Sequence, residues 1–402
     1  MLCMAETPWL TIIGLGEDGL NGLSDASREA LARAELVMGA ARHLALVPGL
    51  PCELLEWPVP FADGIDLLLA QRGRRVVVLA SGDPFWFGAG SSVTRHLDRQ
   101  EWCALPAPST FSLAAAALGW PLQHVVCFGL HAAPLTRLRP HLVRGARGVV
   151  LLRDGGAVGD LAAYLAGLGF GASRLHVMEA LGGPRARTRS IRAADYDLGD
   201  VAHPVAVGLE VAGAGRALPS VAGREDGFFD HDGQITKQAV RALTLAALAP
   251  VPGELLWDIG LGSGSVSIEW LLAHPRTEAI GFEADPRRAA RATANAAALG
   301  VDRLKVVEAR APEGLEGQPL PDAVFIGGGL SEALLTRLWA ILPKGVRLVA
   351  NAVTLESEAL LGQWQARVGG TLTRLEISEA TALGSKRGWR AAYPIVQWRG
   401  GT

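Results

Sequence analysis

Leu255–Trp270 reads LLWDIGLGSGSVSIEW. An apolar run ends in Asp258, glycines stand at 260, 262 and 264, and apolar spacing suited to a helix then resumes. Buried strand, tight glycine turn and helix start come in the order of a nucleotide-binding βα unit. Glycine lets the backbone turn sharply and lets a ligand approach where a Cβ would collide. A second apolar segment, AIGFEADP, places Glu283 at its end, 25 positions after Asp258. An acid there can accept hydrogen bonds from both ribose hydroxyls. Together these features point to an adenosine-containing cofactor.

The rest of the chain fits an α/β protein of two domains. Its 402 residues are 49% hydrophobic and 19% charged, the balance of a globular chain. A net charge of −2 gives no reason to expect a nucleic-acid or membrane partner. Cysteines at 3, 52, 103 and 127 lack metal-ligand or disulfide-framework spacing and read as reduced cytoplasmic thiols, with no metal site. The N-terminus enters a strand without a basic leader, so no signal peptide is expected. Trp102–Leu130 carries no Asp, Glu, Lys or Arg, but Pro106, Pro108, Gly119 and Pro121 cut it into pieces too short to span a bilayer.

Strand and helix patterns alternate along the chain, which predicts parallel sheets. Trp9–Gly14, Arg75–Ala80, Gly148–Arg153, Arg174–Ala180 and Val205–Leu209 read as strands. SDASREALARAELVMG, from Ser24, reads as one capped helix, and Ser112–Leu118 as another closed by Gly119. Residues 212–227 are rich in Gly, Ala and Pro without periodicity, so the domains are expected at 1–211 and 228–402 with this linker between. Beyond it, Gln234–Ala249 reads as a helix, Asp285-Pro286 as a helix start, and seven strands are expected after residue 250.

The glycine spacing selects the cofactor. A dinucleotide fingerprint needs Gly or Ala where Ser265 stands. The pattern D-x-G-x-G-x-G at Asp258–Gly264 instead resembles the first motif of class I S-adenosylmethionine (SAM) methyltransferases. The first half has its own glycine loop, Gly14-Leu-Gly16-Glu-Asp-Gly19, a literal G-x-G-x-x-G. In a nicotinamide enzyme the helix would begin inside that motif, whereas here a cap comes only near Ser24.

Four stretches in order, GLGEDGLNGLS, LASGDPFWFG, PAPSTFSLAAAALGWP and MEALGGPRARTR, resemble the motifs of the tetrapyrrole (precorrin) methylase family over residues 9–210. The family's L-x-S-G-D-P-x-x-x-G is met by Leu79, Ser81, Gly82, Asp83, Pro84 and Gly88, while Glu17-Asp18-Gly19 replaces the usual Pro-Gly-Asp of the first loop. The second half resembles the decarboxylating precorrin methyltransferases of class I fold. That likeness rests on Asp232-Gly233-x-Ile235-Thr236-Lys237, the glycine loop, Arg310-Ala311, Phe325-Ile326-Gly327-Gly328 and Asn351, with Ala309 and Tyr393-Pro394 as departures.

A chain with both halves in this order resembles the fused C(5,15) precorrin methyltransferases of cobalamin biosynthesis. The resemblance implies methylation of precorrin-6Y (precorrin-6B) at carbons 5 and 15 and loss of CO2 from the ring C acetate, giving precorrin-8X. It implies a tetrapyrrole-methylase fold of two α/β subdomains followed by a Rossmann-like domain, with one SAM per domain. The first domain would serve carbon 5, and the second carbon 15 and the decarboxylation. The cofactor residues it implies are Gly14, Gly16, Gly82, Asp83, Pro84, Ser109 and Thr110 in the first half. In the second they are Thr236, Asp258, Gly260, Gly262, Ser263, Gly264, Glu283, Ala309, Arg310 and Ala311.

Methyl transfer from a sulfonium needs alignment more than covalent chemistry, consistent with the lack of a Ser/His/Asp or Cys/His constellation. Decarboxylation needs a proton source near the macrocycle, for which Asp230, His231 and Asn351 are candidates. Asp230 and His231 also read as a solvated linker end, and Asn351 as a turn cap. A polycarboxylate substrate invites arginines, and Arg185, Arg187 and Arg189 alternate as on one strand face. The alternative reading of the three is a solvated sheet edge. A cytoplasmic homo-oligomer is expected. Two other functions stand beside this one: a nicotinamide oxidoreductase using Gly14, Gly16 and Gly19, and a non-catalytic SAM sensor.

Overall fold

The protein was analysed as a computed structural model, which describes residues 8–402. Cys3 lies outside them; Cys52, Cys103 and Cys127 are free thiols. The chain divides into two compact units. One runs to Leu135 and again from Leu142 to Arg216, and the other takes Thr136–His141 and Ala217–Thr402.

The first unit contains two five-stranded sheets. The first comprises β1 (Leu10–Leu15), β2 (Leu36–Gly39), β3 (Glu53–Glu56), β4 (Val76–Ser81) and β5 (Trp102–Leu105), in the order β3-β2-β4-β1-β5. All its pairings are parallel. The order reverses around β1, so loops leaving β1, β4 and β5 meet at one sheet end, where open α/β sheets bind ligands. The second sheet comprises β6 (Val126–Gly129), β7 (Arg147–Leu152), β8 (Arg174–Glu179), β9 (Arg187–Arg192) and β10 (Val205–Glu210), ordered β6-β7-β10-β8-β9. Only β6–β7 is parallel.

One sequence expectation fails here. The segment from Ser24 holds a helix only over Asp25–Arg33, capped by the Ser24 hydroxyl, and then turns into β2. Leu36, Val37 and Met38 are fully buried between β3 and β4, and that burial on both sheet faces overrides the helical propensity of the run.

The second unit is a seven-stranded sheet: β11 (Leu255–Ile259), β12 (Glu278–Glu283), β13 (Lys305–Glu308), β14 (Ala323–Ile326), β15 (Arg347–Ala352), β16 (Thr371–Leu375) and β19 (Ile395–Gly401). Its order is β13-β12-β11-β14-β15-β19-β16, with β19 antiparallel to both neighbours. β11 lies centrally, and Leu256, Trp257 and Ile259 bury on both its faces. A separate hairpin of β17 (Ser378–Leu383) and β18 (Lys386–Ala391) leaves the sheet between β16 and β19.

The composition of 212–227 suggests a free linker, yet from Leu218 onward the chain packs into this unit. Leu218 and Phe229 are buried against Leu245, Leu248 and Trp270. The backbone amides of Gly223 and Arg224 donate to Glu269 at 2.6 and 2.9 Å. Among the described residues no helix is long and apolar enough to cross a membrane.

Candidate functional site

The glycine loop after β11 adopts the left-handed backbone its sequence requires, with φ of +74°, +58° and +78° at Gly260, Gly262 and Gly264. The three glycines serve different needs. A Cβ on Gly260 would lie 2.6 Å from the Gly328 backbone, so this glycine lets the loops after β11 and β14 close on each other. A Cβ on Gly262 would meet nothing nearer than 4.0 Å and would project into the cleft. Gly264 is the N-cap of the helix Ser265–Ala273, packed on Ala292 and away from the cleft wall.

That cleft has a volume of about 2180 Å³. Its wall brings together Thr236, Asp258, Gly260, Gly262, Ser263 and Glu283 with Ala309, Arg310 and Ala311, all from the sequence reading. Glu283 sits at the end of β12, accepting from the Gly262 amide at 2.8 Å and the Asp285 amide at 3.0 Å. Ala309 faces Gly314, on which a Cβ would come within 2.5 Å of the alanine methyl, so the alanine is accommodated because position 314 has no side chain.

Asp258 is the electrostatic centre of the cleft. It is 1% exposed, its Oδ2 accepts from the Ser267 amide and hydroxyl at 3.2 and 2.7 Å, and its Oδ1 has no partner. Burial pushes its carboxyl up to about 7, against the Ser267 hydrogen bonds and helped by the charge of Glu283. A buried acceptor without a partner and a glycine that leaves the cleft open both suit a polar ligand bearing a ribose.

The three proposed proton sources do not assemble in this cleft. Asp230 lies off its wall, its carboxylate 3.4 Å from Arg291 and its backbone exchanging hydrogen bonds with Asn295. His231 also lies off the wall and accepts from the Gly233 amide at 3.0 Å. Asn351 does line the cleft, but both ends of its amide are used. Its Nδ2 donates to Thr244 at 3.0 Å and its Oδ1 accepts from Gln397 at 2.9 Å.

Beneath the Thr236 segment lies a buried ion cluster the sequence did not disclose. Arg241, fully buried, donates to Glu269 at 2.8 Å and to Asp226 at 3.2 Å, and also to the backbone carbonyls of Thr236 and Arg224. One guanidinium thus fixes both the 217–229 arm and the edge of the cleft. Glu269 lies on a helix buried on all sides, and only the fold brings Arg241 to it.

In the first unit the three loops interlock. The Gly82 amide donates to the Leu15 carbonyl at 3.0 Å, and Ala107 donates to the Gly82 carbonyl at 3.1 Å. A Cβ on Gly14 would sit 1.9 Å from the Gly82 carbonyl oxygen, so close backbone packing alone requires glycine there. Gly16 lies in the same loop, where a Cβ would press on the Asp18 carboxylate at 2.5 Å. Asp83 accepts from the Phe85 amide at 2.9 Å and Pro84 is buried. Ser109 caps the helix Thr110–Leu118 through the Ser112 amide at 3.1 Å. Phe85, Trp86 and Phe87 follow as three exposed aromatics, Phe87 at φ +55°.

Glu17, from the altered part of the first loop, is buried between Arg42 and Arg185. Arg42 also reaches Ser81 at 2.8 Å, and His43 Nε2 lies 2.9 Å from the same hydroxyl. Burial, and then the adjacent Arg42, hold His43 neutral, pushed down to about 4. After Gly19 the chain makes a short 3-10 turn to Gly22 before the helix at Asp25, so the α-helix that follows this glycine loop does not begin inside it.

Arg187 and Arg189 share a face, as alternation requires, but that face is occupied from within. Both donate to Glu179, which is 2% exposed, at 2.7–2.9 Å, and both reach Asp200. Burial would raise Glu179, yet Arg187, the Ala202 amide and Arg189 outweigh it and hold the carboxyl below its ordinary value. Arg185 precedes the strand and pairs with Glu17.

Comparison with known proteins matches these two units separately and together. Residues 9–196 match the family of tetrapyrrole (corrin/porphyrin) methylases, and residues 227–401 match the precorrin methyltransferase domain. A Sinorhizobium precorrin-6Y C(5,15)-methyltransferase [decarboxylating] is 50% identical over 98% of this chain and 96% of its own. The enzyme of that name from Mycobacterium tuberculosis (strain CDC 1551 / Oshkosh) is 39% identical over 97% of this chain and 98% of its own. The crystallised C-terminal domain of a Rhodobacter capsulatus precorrin-6Y C5,15-methyltransferase is 54% identical, covering 46% of this chain and all of that one, with a TM-score of 0.45. With both units matched in order and full-length identity at this level, the chain belongs to the decarboxylating precorrin-6Y C(5,15)-methyltransferase family.

Proposed function

We propose that the chain is a bifunctional, SAM-dependent C-methyltransferase of corrin-ring biosynthesis. It methylates precorrin-6Y (precorrin-6B) at carbons 5 and 15 and releases the ring C acetate carboxylate as CO2, yielding precorrin-8X. The first unit serves carbon 5, and the second serves carbon 15 and the decarboxylation. Each unit holds one SAM, and the expected limits of 1–211 and 228–402 extend in the second unit to the packed arm from Ala217. The observation that carries this reading is the second unit's cleft, which gathers Asp258, the open glycine at 262 and Glu283 on one wall.

SAM supplies an electrophilic methyl group for in-line displacement by a ring carbon. The chain's part is alignment, for which an oriented pair of reactants is worth up to ~7–11 kcal/mol of barrier. In the second unit Glu283 and the glycine-loop backbone would hold the nucleoside, with Thr236 and Ala309–Ala311 on the same cleft wall. In the first unit the loops carrying Gly14, Gly16, Gly82, Asp83, Pro84, Ser109 and Thr110 form the corresponding mouth. For decarboxylation, the C–CO2⁻ bond breaks with its electron pair passing into the conjugated ring, and a proton then adds to the remaining carbon. Asp230 and His231 lie off the cleft wall, and Asn351, on the wall, holds Thr244 and Gln397 through its amide.

Calorimetric titration of S-adenosylhomocysteine into the whole chain and into a fragment starting at Ala217 tests this reading. Two sites on the chain and one on the fragment are expected. One site on the chain would refute the count, and no binding would refute the function.

A further inference from the structure

We infer that the half of the second unit's cleft walled by the β17–β18 hairpin and Tyr393 is the macrocycle-binding site, with Arg390 receiving a substrate carboxylate and Tyr393 a ring face. This inference rests on the proposed function and names the residues it leaves open.

Size comes first. At about 2180 Å³ the cleft is at least twice the ~300–1,000 Å³ that holds a drug-sized ligand. A nucleoside cofactor seated by Asp258, Gly262 and Glu283 therefore leaves most of a second ligand's volume vacant. The walls of the remainder are Leu375, Ile377, Glu379, Arg390 and Tyr393.

Charge comes next. Of the cations on the cleft wall, Lys237 pairs with Asp226 and Arg288 with Asp232. Arg310 and Arg390 have no carboxylate partner among the described residues. Glu379 is the register partner of Arg390 across the hairpin, yet no ion pair joins them. A guanidinium on the cleft wall without a carboxylate partner is the complementary group for a substrate carboxylate, and its planar fork suits bidentate capture.

The hairpin is also shaped for a ligand. It turns in two residues at Gly384, φ +60°, and lies largely in solvent. A two-stranded ribbon of this kind is marginal alone and gains order by closing on something. Strand alternation divides it: Arg390 and Glu379 line the cleft, so Arg387 and Trp389 stand on the opposite face. Tyr393, 85% exposed and just past β18, offers an unburied ring to a flat conjugated ligand.

The test uses the full chain with its tetrapyrrole substrate, following CO2 release for the second unit and carbon-5 methylation for the first. Arg390→Ala is expected to raise KM for CO2 release about ten- to a hundredfold, the weight of one charge-assisted hydrogen bond. S-adenosylhomocysteine affinity and the carbon-5 reaction should stay within twofold, and Arg390→Lys should restore part of the KM. Arg387→Ala, on the other face, should change neither reaction. An unchanged KM in Arg390→Ala, or an equal loss in Arg387→Ala, would overturn the inference while wild-type turnover upheld the function. A wild-type chain that binds S-adenosylhomocysteine but releases no CO2 would refute the proposed function and this inference with it.

Discussion

Replacing Asp258 by Asn should change how the second unit's stability depends on pH. The carboxyl is 1% exposed, with one oxygen bonded to Ser267 and the other without a partner. Burial, with Glu283 adding to it, raises the group from its ordinary value to about 7. An acid that holds its proton more tightly when folded contributes stability in full below its unfolded value near 4. That contribution disappears as pH rises through 7. About three units at ~1.4 kcal/mol each set an upper bound of about 4 kcal/mol lost between pH 4 and pH 8. Asn has no proton to lose, so Asp258→Asn should gain on the wild type across this window, by about 8–16 °C in melting temperature at pH 8 for a unit of this size. Scanning calorimetry of the whole chain at pH 5 and pH 8 reads the second unit's transition directly. Parallel pH dependences for wild type and variant would refute the reasoning, because they would mean that Asp258 is ionised throughout.

The first unit should respond with the opposite sign. His43 is depressed from its ordinary value to about 4, so its contribution is present above pH 6.5 and is lost as pH falls to 4, by about 3 kcal/mol. His43→Gln should flatten the acid limb of that unit's transition in the same scans. Glu269→Gln removes the negative charge that faces Arg241 and turns one of the two acceptor oxygens used by Arg241, Gly223 and Arg224 into a donor, and uncovering a buried charge of this kind costs about 3–5 kcal/mol. Urea denaturation should show the loss in the second unit alone, and a shift below about 1 kcal/mol would contradict the burial argument. Replacing Arg187 and Arg189 together by Ala strands the buried Glu179, so the first unit should lose about 3 kcal/mol while KM for the tetrapyrrole holds within twofold. A raised KM without a melting shift would return those arginines to substrate docking.

The features legible in the sequence are those fixed by the backbone over short distances. Three glycines at positive φ, an apolar strand before them and an acid closing the next strand are all read from short stretches of sequence, and they lie at the part of the second cleft proposed for the cofactor. The parts that escaped depend on partners distant in the chain. Arg187 and Arg189 look free until Glu179, on the neighbouring strand, takes up their donors. Asp230 and His231 look poised for chemistry, but Asn295 and Arg291, more than sixty residues later, hold Asp230 off the cleft. The β17–β18 hairpin left no pattern to find, since most of its side chains are exposed and no buried face imposes an apolar alternation. Local rules therefore mark the loop proposed for the methyl donor, while the groups proposed for the macrocycle, from Leu375 to Tyr393, come to one cleft with Asp258 only when β16 and β19 pair. A donor loop that serves one ligand chemistry can be written into a dozen residues. A surface for a large polycarboxylate ring needs several elements at once, and only their folding brings its charges into view.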